Sequence, residues 1–294
     1  MLAGANGDLG NLSHLRVWQM DRWQTGGMTA FWTELDGDVI SVRGADASSY
    51  LQGQISQDIR GLGDGQSAYT FVLEPTGKIA ALARVTRLAE DEFRLDTDRG
   101  FGDELMARLN RFKIRVKVDI VGAQAAVLGV RGADAPIAGG VPAWGGVDAF
   151  DLFDAAPPAD LRHGSADELL LARIESGWPA MGREITEASI PAETGVVADA
   201  VNFTKGCYPG QELVERMDSR GSTAPRFVRR LRGEGSVKVG DEIIHDGKAV
   251  GTLTSVADSD EGWVALGVVA RSAQPGDPVT IGEAPSVIED ITAR

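Results

Sequence analysis

The segment VNFTKGCYPGQELVERMDSRG, residues 201–221, contains the only cysteine of the 294-residue chain, Cys207. The cysteine lies between a lysine-glycine pair and a proline-glycine turn. A proline followed shortly by Gln-Glu is typical of a first helical turn, and glycine is typical of a helix end. The segment therefore predicts a helix that begins at Pro209 and that Gly221 ends.

Cys207 precedes the amino terminus of this predicted helix. Unpaired amide donors and the positive end of the helix dipole favour a thiolate there, and Lys205 adds a nearby cation. A single cysteine can also be a small buried hydrophobic residue or a metal contact, and local reasoning leaves these alternatives open. The three histidines, His14, His163 and His245, are isolated from one another and from the cysteine, so no metal site is predicted.

Composition and charge restrict the classes of partner. A hydrophobic fraction of 43% and a charged fraction of 24% are those of a globular protein, expected to contain two or three units. The net charge of -14 disfavours direct nucleic-acid binding. One cysteine permits no internal disulfide, and the first residues lack the apolar run of a signal peptide or membrane span. We expect a cytoplasmic monomer without membrane contact.

The pattern of apolar residues predicts an ordered succession of elements. Residues 1–28 are interpreted as an extension with little order. The folded body begins near Phe31 with two short strands around an Asp-Gly turn, followed by an amphipathic helix capped by Asp46. Residues 68–88 predict a strand hairpin, because two apolar runs flank a Pro-Thr-Gly turn.

Further along the chain, strands and helices alternate without regular βαβ spacing. Residues 93–98 predict a strand, residues 103–110 a helix, and ADELLLARIESG another helix. RFKIRVKV, residues 111–118, alternates basic and apolar residues and predicts a half-buried strand; its cationic face is interpreted either as a solvated edge or as a wall for an anionic ligand tail. Together with strand-length runs after Gly221, this order predicts an α+β protein with a small carboxy-terminal barrel.

K-G-C-Y-P-G-Q-E resembles the K-G-C-[FY]-x-G-Q-E signature of the YgfZ folate-binding proteins, which are similar to the aminomethyltransferase of the glycine cleavage system. Three further segments carry the resemblance: RGADASSYLQGQISQDI (43–59), the hairpin LEPTGKI, and RIESGWPAMGREI (173–185). The segment VERMDSRG resembles the stretch that follows the signature. The resemblance covers about residues 31–294, most firmly up to residue 232.

The resemblance implies an α+β ring around a central folate site, made of two intertwined α+β units with ferredoxin-like elements and a carboxy-terminal β-barrel. The corresponding domains are a possible disordered extension (1–28), an aminomethyltransferase-like folate-binding region of two intertwined subdomains (29–221) and the barrel (222–294). The implied cofactor is tetrahydrofolate.

The resemblance also implies roles for the residues around the signature. Cys207 becomes the reactive or ligating thiol, and Lys205 favours its thiolate form. The implied folate-binding residues are Gly206, Tyr208, Gly210, Gln211, Glu212, Arg216 and Arg220. Alternatively, Gln211 and Glu212 merely cap the helix and the two arginines are simply solvated.

Two departures from the aminomethyltransferase bear on the chemistry. That enzyme has G-G-I-x-D-D after its hairpin turn, whereas residues 77–82 here read GKIAAL and contain no carboxylate. Its Y-T-G-E-x-G-[FVW]-E motif corresponds to WGGVDAFD, with Val147 at the position of the first glutamate. Since alanine cannot orient or protonate a folate amine, aminomethyl transfer by the usual mechanism is not expected.

The function implied is assistance to iron-sulfur cluster assembly or repair, with an indirect effect on tRNA modification. One cysteine cannot supply the usual four cluster ligands, so client or assembly proteins, a second subunit or a small molecule would supply the others. The alternatives are a tetrahydrofolate-dependent methyl or aminomethyl transferase or demethylase, and a non-catalytic binding module. The sequence alone does not decide whether the protein is an enzyme.

Overall fold

The computed structural model describes residues 29–133, 137–146, 148–219 and 224–291, and the extension predicted over residues 1–28 lies outside them. In chain order the described elements are β1 (Phe31–Leu35), β2 (Gly37–Arg43), α1 (Ala47–Gln52), β3 (Ser67–Leu73), β4 (Ile79–Ala89), β5 (Glu92–Asp98), α2 (Gly102–Arg111), β6 (Asp119–Ala123), β7 (Val127–Arg131), β8 (Val141–Pro142), a 3₁₀ turn (Trp144–Gly146), β9 (Ala149–Phe153), β10 (Arg162–His163), α3 (Ala166–Glu175), a 3₁₀ turn (Pro191–Glu193), α4 (Val197–Ala200), α5 (Gln211–Ser219), β11 (Arg226–Gly233), β12 (Glu242–His245), β13 (Lys248–Ser259), β14 (Gly262–Ala270), β15 (Pro278–Ile281) and β16 (Ala284–Glu289).

The amino-terminal strands form two intertwined sheets. Sheet I has the order β10-β1-β7-β9-β8, and sheet II has the order β3-β4-β5-β2-β6. After β1 the chain leaves sheet I, builds the whole of sheet II, and returns to sheet I as β7, which pairs antiparallel with β1. The two short strands predicted around the Asp-Gly turn both form, but they belong to different sheets, because β2 pairs with β5 and β6 instead of β1.

The predicted hairpin forms between β3 and β4 and carries much of the core of sheet II. Eight consecutive residues of β4, from Ile79 to Thr86, are buried, which explains why this stretch is apolar apart from Arg84 and Thr86. Gly77 closes the turn with φ +84°, and a side chain there would lie 2.5 Å from the Cβ atom of Leu213 on α5. The hairpin turn therefore packs directly against the helix that follows Cys207.

The strand predicted over residues 111–118 does not form. Arg115 has φ +57°, a left-handed conformation outside the β region, so it interrupts an extended backbone. The amide of Lys117 donates a hydrogen bond of 2.7 Å to the carboxylate of Asp46, so Asp46 anchors this loop and its side chain does not cap α1. Strand β6 begins only at Asp119, and the exposed Ile114 belongs to the loop.

The carboxy-terminal strands close into a barrel of order β11-β14-β13-β12-β15-β16. Helix α3 packs against this barrel through Ile174, which is buried with Val228, Val264 and Leu266. Its amino terminus is held by a capping box between Ser165 and Glu168. The predicted α+β fold with a carboxy-terminal barrel is confirmed. In the described residues, no helix is long and apolar enough to span a membrane.

The three tyrosines of the chain provide a test of this packing. Burial raises the pKa of Tyr69 and Tyr208 to about 12, and it also raises the pKa of Tyr50. Between the ordinary pKa of 10.0 and these higher values, the unfolded chain loses phenolic protons that the folded chain keeps. We expect stability to fall with rising pH in this window. Ultraviolet titration should reveal tyrosinate only when the chain unfolds; native tyrosines that ionise near pH 10.0 would contradict the packing.

Candidate functional site

Residues 202–210, here called the thiol loop, connect α4 to α5. Buried and exposed residues alternate along it: Lys205 and Tyr208 are buried, whereas Phe203, Gly206 and Cys207 are exposed. The cysteine is therefore not a core residue, which removes one of the interpretations that the sequence left open. Its thiol lies at the surface between two anchored neighbours.

Lys205 anchors the thiol loop to the segment that follows α1. Its Nζ atom donates hydrogen bonds to the backbone carbonyls of Gln52 (2.7 Å), Ile55 (2.5 Å) and Gln57 (2.9 Å). An ammonium group has three hydrogens, so these carbonyls use all of its donors. Burial lowers the pKa of Lys205 to about 8. These contacts are those of a buried structural cation.

Tyr208 provides the second anchor of the thiol loop. Its ring is buried in an apolar cluster that also contains Leu73, Ile79, Trp178 and Val214. The Lys205 ammonium lies 5.2 Å from the centroid of the ring, within the range of a cation-π contact. The loop is thus attached both to the region around α1 and to the β3-β4 hairpin.

Gly210 ends the thiol loop at a point where no side chain fits. Its φ is +83°, and an added Cβ atom would lie 2.7 Å from the carbonyl oxygen of Glu74 in the hairpin turn. A residue in this conformation cannot belong to an α-helix, so α5 begins at Gln211 and not at Pro209 as the sequence predicts. The helix end predicted at Gly221 lies outside the described residues.

The other predicted folate contacts differ in whether they are free to meet a ligand. Gln211 makes internal bonds, since its Oε1 accepts from the amide of Tyr208 (3.3 Å) and its Nε2 donates to Glu215 (2.5 Å). Glu212 and Arg216 are exposed, and their side chains have no hydrogen bond or ion pair to another described residue. Around Gly206, an added Cβ atom would meet nothing within 4 Å. Arg220 lies outside the described part of the chain.

A second group of charged residues joins the two sheets, and the sequence patterns did not predict it. In this inter-sheet charge cluster, Arg84 on β4 contacts both Asp96 (2.8 Å) and Asp151 (2.9 Å), and Arg131 contacts Asp151 (2.9 Å). Burial raises the pKa of Asp96. Burial opposes ionisation of Asp151 as well, but Arg131 and Arg84 hold its pKa below the ordinary value.

Aromatic rings surround this charge cluster. The rings of Tyr69 and Trp178 are 4.3 Å apart, the amide of Trp144 donates to the Tyr69 hydroxyl (3.2 Å), and the Arg131 guanidinium lies 3.9 Å over the Trp144 ring. A sequence signal for Asp151 existed, because it is the last residue of WGGVDAFD, where the related motif ends in glutamate. Val147, which the sequence reasoning compared with the motif's first glutamate, lies outside the described residues.

The start of β4 is apolar where the aminomethyltransferase motif has aspartates. Ala80, Ala81 and Leu82 are all buried, and Leu82 is in the same apolar cluster as Tyr208. The amide of Leu82 lies 3.4 Å from the sulfur of Met181. The departure seen in the sequence is therefore built into a packed core, which leaves no acidic side chain on these three residues.

Glu184 ties RIESGWPAMGREI to the barrel. This buried carboxylate accepts bonds from Arg173 (2.9 Å), from the hydroxyl groups of Thr254 and Ser255 (2.7 Å each), and from the amide of Ala180 (2.9 Å). Burial opposes its charge, but Arg173 leads the contacts that keep its pKa below the ordinary value. Because Met181 of the same segment contacts Leu82 and Asp98 of sheet II, the segment joins sheet II to the barrel.

The described residues contain no group of three or more His, Cys, Asp or Glu side chains arranged to hold a metal ion. His163 bonds Glu34 (2.8 Å) on sheet I, and His245 bonds the carbonyl of Pro278 (3.1 Å) in the barrel. His14 lies outside the described residues.

Comparisons with known proteins agree with this architecture. The model of the GCVT N-terminal domain matches residues 38–137. The chain is 27% identical over 282 residues to the tRNA-modifying protein YgfZ of Enterobacter sp. (strain 638), covering 83% of this chain and 86% of that protein. It is 28% identical over 275 residues to the protein of the same name from Cronobacter sakazakii, covering 81% and 83%.

An uncharacterised protein of Haemophilus influenzae is 27% identical over 247 residues, covering 79% of this chain and 86% of that protein. Among solved structures, the glycine cleavage system aminomethyltransferase T from Bartonella henselae superposes with a TM-score of 0.72 over 90% of this chain and 86% of that one. At 19% identity, this likeness concerns the fold. The predicted resemblance and the aminomethyltransferase-like fold are confirmed.

Removing the buried ammonium group should loosen the thiol loop. In Lys205→Met, the carbonyls of Gln52, Ile55 and Gln57 lose their donor, and we expect the free energy of unfolding to fall by about 3 kcal/mol. Urea unfolding measures the loss. The exposed lysine of Lys248→Met is the matched control, with an expected change within about 0.5 kcal/mol. Equal stability of the two variants would contradict the anchoring role.

The inter-sheet charge cluster can be tested in the same way. Asp151→Asn removes the negative charge that Arg84 and Arg131 share. Removing one partner of a buried ion pair lowers the free energy of unfolding by about 3 kcal/mol or more. Thermal unfolding should show a clear loss in this variant and almost none in Asp160→Asn, which changes an exposed side chain. A stability of Asp151→Asn like that of the control would mean that the cluster does not hold the sheets together.

Proposed function

Since the chain is homologous to proteins named tRNA-modifying protein YgfZ, we propose that it is a folate-binding protein of the YgfZ type and that the Cys207 thiol is its working group. The observation that carries the proposal is the thiol loop. An otherwise cysteine-free chain holds one exposed thiol between two buried anchors, Lys205 and Tyr208. A solvent-facing thiol between two buried anchors suits a reactive or metal-ligating role better than a packing role.

Tetrahydrofolate is the proposed cofactor, and the chemistry of two groups of residues fits it. A pterin is a flat ring with a polar edge, which matches the aromatic group of Tyr69, Trp144 and Trp178 beside the carboxylates of the charge cluster. Asp96 keeps 18% of its side chain exposed there. The anionic glutamyl tail would suit Arg216, whose guanidinium has no ion-pair partner among the described residues.

In this proposal some residues of the signature position the thiol and others contact the folate. Lys205, Tyr208, Gly210 and Gln211 position the thiol through their internal contacts. Gly206, Glu212 and Arg216 stay accessible to a ligand, and Arg220 is kept as a proposed contact from the sequence. When bound, the folate would supply one-carbon or redox chemistry. The chain's own contribution is to bind it and to hold Cys207.

The proposed role is assembly or repair of iron-sulfur clusters, with an indirect effect on tRNA modification. A cluster would be substrate or cargo, because one thiol supplies one ligand and the others come from a client or assembly protein. One-carbon transfer is the weaker alternative, because buried Ala80, Ala81 and Leu82 offer no carboxylate to a folate nitrogen. We propose a cytoplasmic location, in keeping with the single cysteine, and a monomeric state.

The central experiment replaces Cys207 with Ala. We expect Cys207→Ala to bind tetrahydrofolate as the unchanged protein does, since the thiol lies outside the aromatic group, but to fail to restore iron-sulfur enzyme activity in cells that lack the native protein. Thr204→Ala, which changes an exposed neighbour in the same loop, should restore it.

Three results would count against the proposal. Full restoration by Cys207→Ala would remove the thiol from the mechanism, and a lack of tetrahydrofolate binding by the unchanged protein would remove the cofactor. Turnover of a methyl or aminomethyl donor to 5-methyl- or 5,10-methylene-tetrahydrofolate would favour the one-carbon alternative.

A further inference from the structure

A pocket of about 270 Å³ opens where the start of β4, the first turn of α2 and residues 181–187 meet. Its apolar wall consists of Ile79, Ala80, Phe101, Met181 and Ile185. Neither the thiol loop nor the inter-sheet charge cluster lines it. Its volume lies near the lower end for small-molecule sites, about 300 Å³, so it suits a compact ligand.

Two carboxylates complete the lining of this pocket. Glu104 from α2 and Glu187 from the turn are both exposed, and their side chains have no hydrogen bond or ion pair to any other described residue. Lys78 and Arg183 are close in sequence, but neither lines the pocket. The pocket therefore combines an apolar wall with two carboxylates that have no ion-pair partner among the described residues.

Backbone hydrogen bonds made by residues 181–187 shape one side of the pocket before any ligand binds. The amide of Met181 donates to the Asp98 carboxylate at the end of β5 (2.8 Å), and the amide of Gly182 donates to the carbonyl of Ile185 (2.7 Å). Gly182 has φ +75°, and an added Cβ atom would lie 3.1 Å from the Phe101 ring. Glycine thus keeps the wall open, and a ligand would not have to order the turn on binding.

We propose that this pocket binds a small organic cation, an amine on an apolar body of about the size of benzylamine. The apolar wall takes up the body of the ligand, and the carboxylates of Glu104 and Glu187 attract its ammonium group. A hydrated inorganic cation gains nothing from the apolar wall, and an organic anion is repelled by the carboxylates. No residue of the thiol loop or of the inter-sheet charge cluster lines this pocket, so the inference goes beyond the proposed folate and thiol function.

Three probes of one shape test the charge preference: benzylamine, benzyl alcohol and benzoate. Chemical-shift titrations of the isotope-labelled full chain should show millimolar binding of benzylamine at residues 181–187, weaker binding of benzyl alcohol, and none of benzoate. In Glu104→Gln/Glu187→Gln, benzylamine should bind about fivefold more weakly at low salt, whereas benzyl alcohol should be unaffected. Folding of each variant is checked from the dispersion of its spectrum.

Two control variants separate the pocket from general effects. Glu90→Gln/Asp91→Asn removes two charges from the exposed β4-β5 turn and should bind benzylamine like the unchanged protein. Ala80→Val adds two methyl groups to a residue that lines the pocket, and valine suits a strand, so we expect this variant to lose all probes; its folding is checked in the same way. Cys207→Ala should bind benzylamine normally, which distinguishes this site from the proposed function.

Several outcomes would overturn the inference. Equal affinity for benzylamine and benzyl alcohol would remove the preference for a cation. Unchanged benzylamine binding in Glu104→Gln/Glu187→Gln or in Ala80→Val would place the ligand elsewhere, and absence of benzylamine binding at about 10 mM would remove the site.

Discussion

The position of the thiol depends on one buried cation. The ammonium group of Lys205 is enclosed by the carbonyls of Gln52, Ile55 and Gln57, and burial lowers its pKa to about 8. A charge removed from water is tolerated only when polar partners surround it. The three carbonyls must therefore stay directed at the ammonium group, which restricts the backbone both of the segment after α1 and of the thiol loop. The segment after α1 and the thiol loop are thereby joined, and Cys207, two residues away, is held at the surface.

Close packing of α5 against the β3-β4 hairpin also fixes the position of the thiol loop. Gly210 and Gly77 let α5 approach the β3-β4 hairpin closely. A side chain at Gly77 would collide with Leu213 of α5, and one at Gly210 would collide with the backbone of the hairpin turn. The hairpin in turn belongs to sheet II, which Arg84 joins to sheet I through Asp151. Glu184 then links the segment after α3 to the barrel. Close packing and buried polar contacts together therefore connect the exposed thiol to both sheets and to the barrel.

Local sequence patterns predicted most of the elements because their apolar runs match the burial seen in β3, β4, α2 and α3. They failed at residues 111–118, where alternation was present but the left-handed Arg115 and the bond to Asp46 decide the backbone. The resemblance located the signature but did not predict that Lys205 anchors the loop, since the carbonyls that its ammonium group binds lie about 150 positions earlier in the chain. Asp151 was missed because its partners come from different strands.

The single cysteine permits a direct measurement of how firmly the thiol is held. A nitroxide label attached to Cys207 reports the mobility of its backbone by electron paramagnetic resonance, without any other cysteine to remove. The account predicts a broad, motionally restricted spectrum for the unchanged protein and for Lys248→Met, and a sharp, mobile spectrum for Lys205→Met. A sharp spectrum already in the unchanged protein, or no difference on loss of Lys205, would contradict the claim that this buried cation positions the thiol.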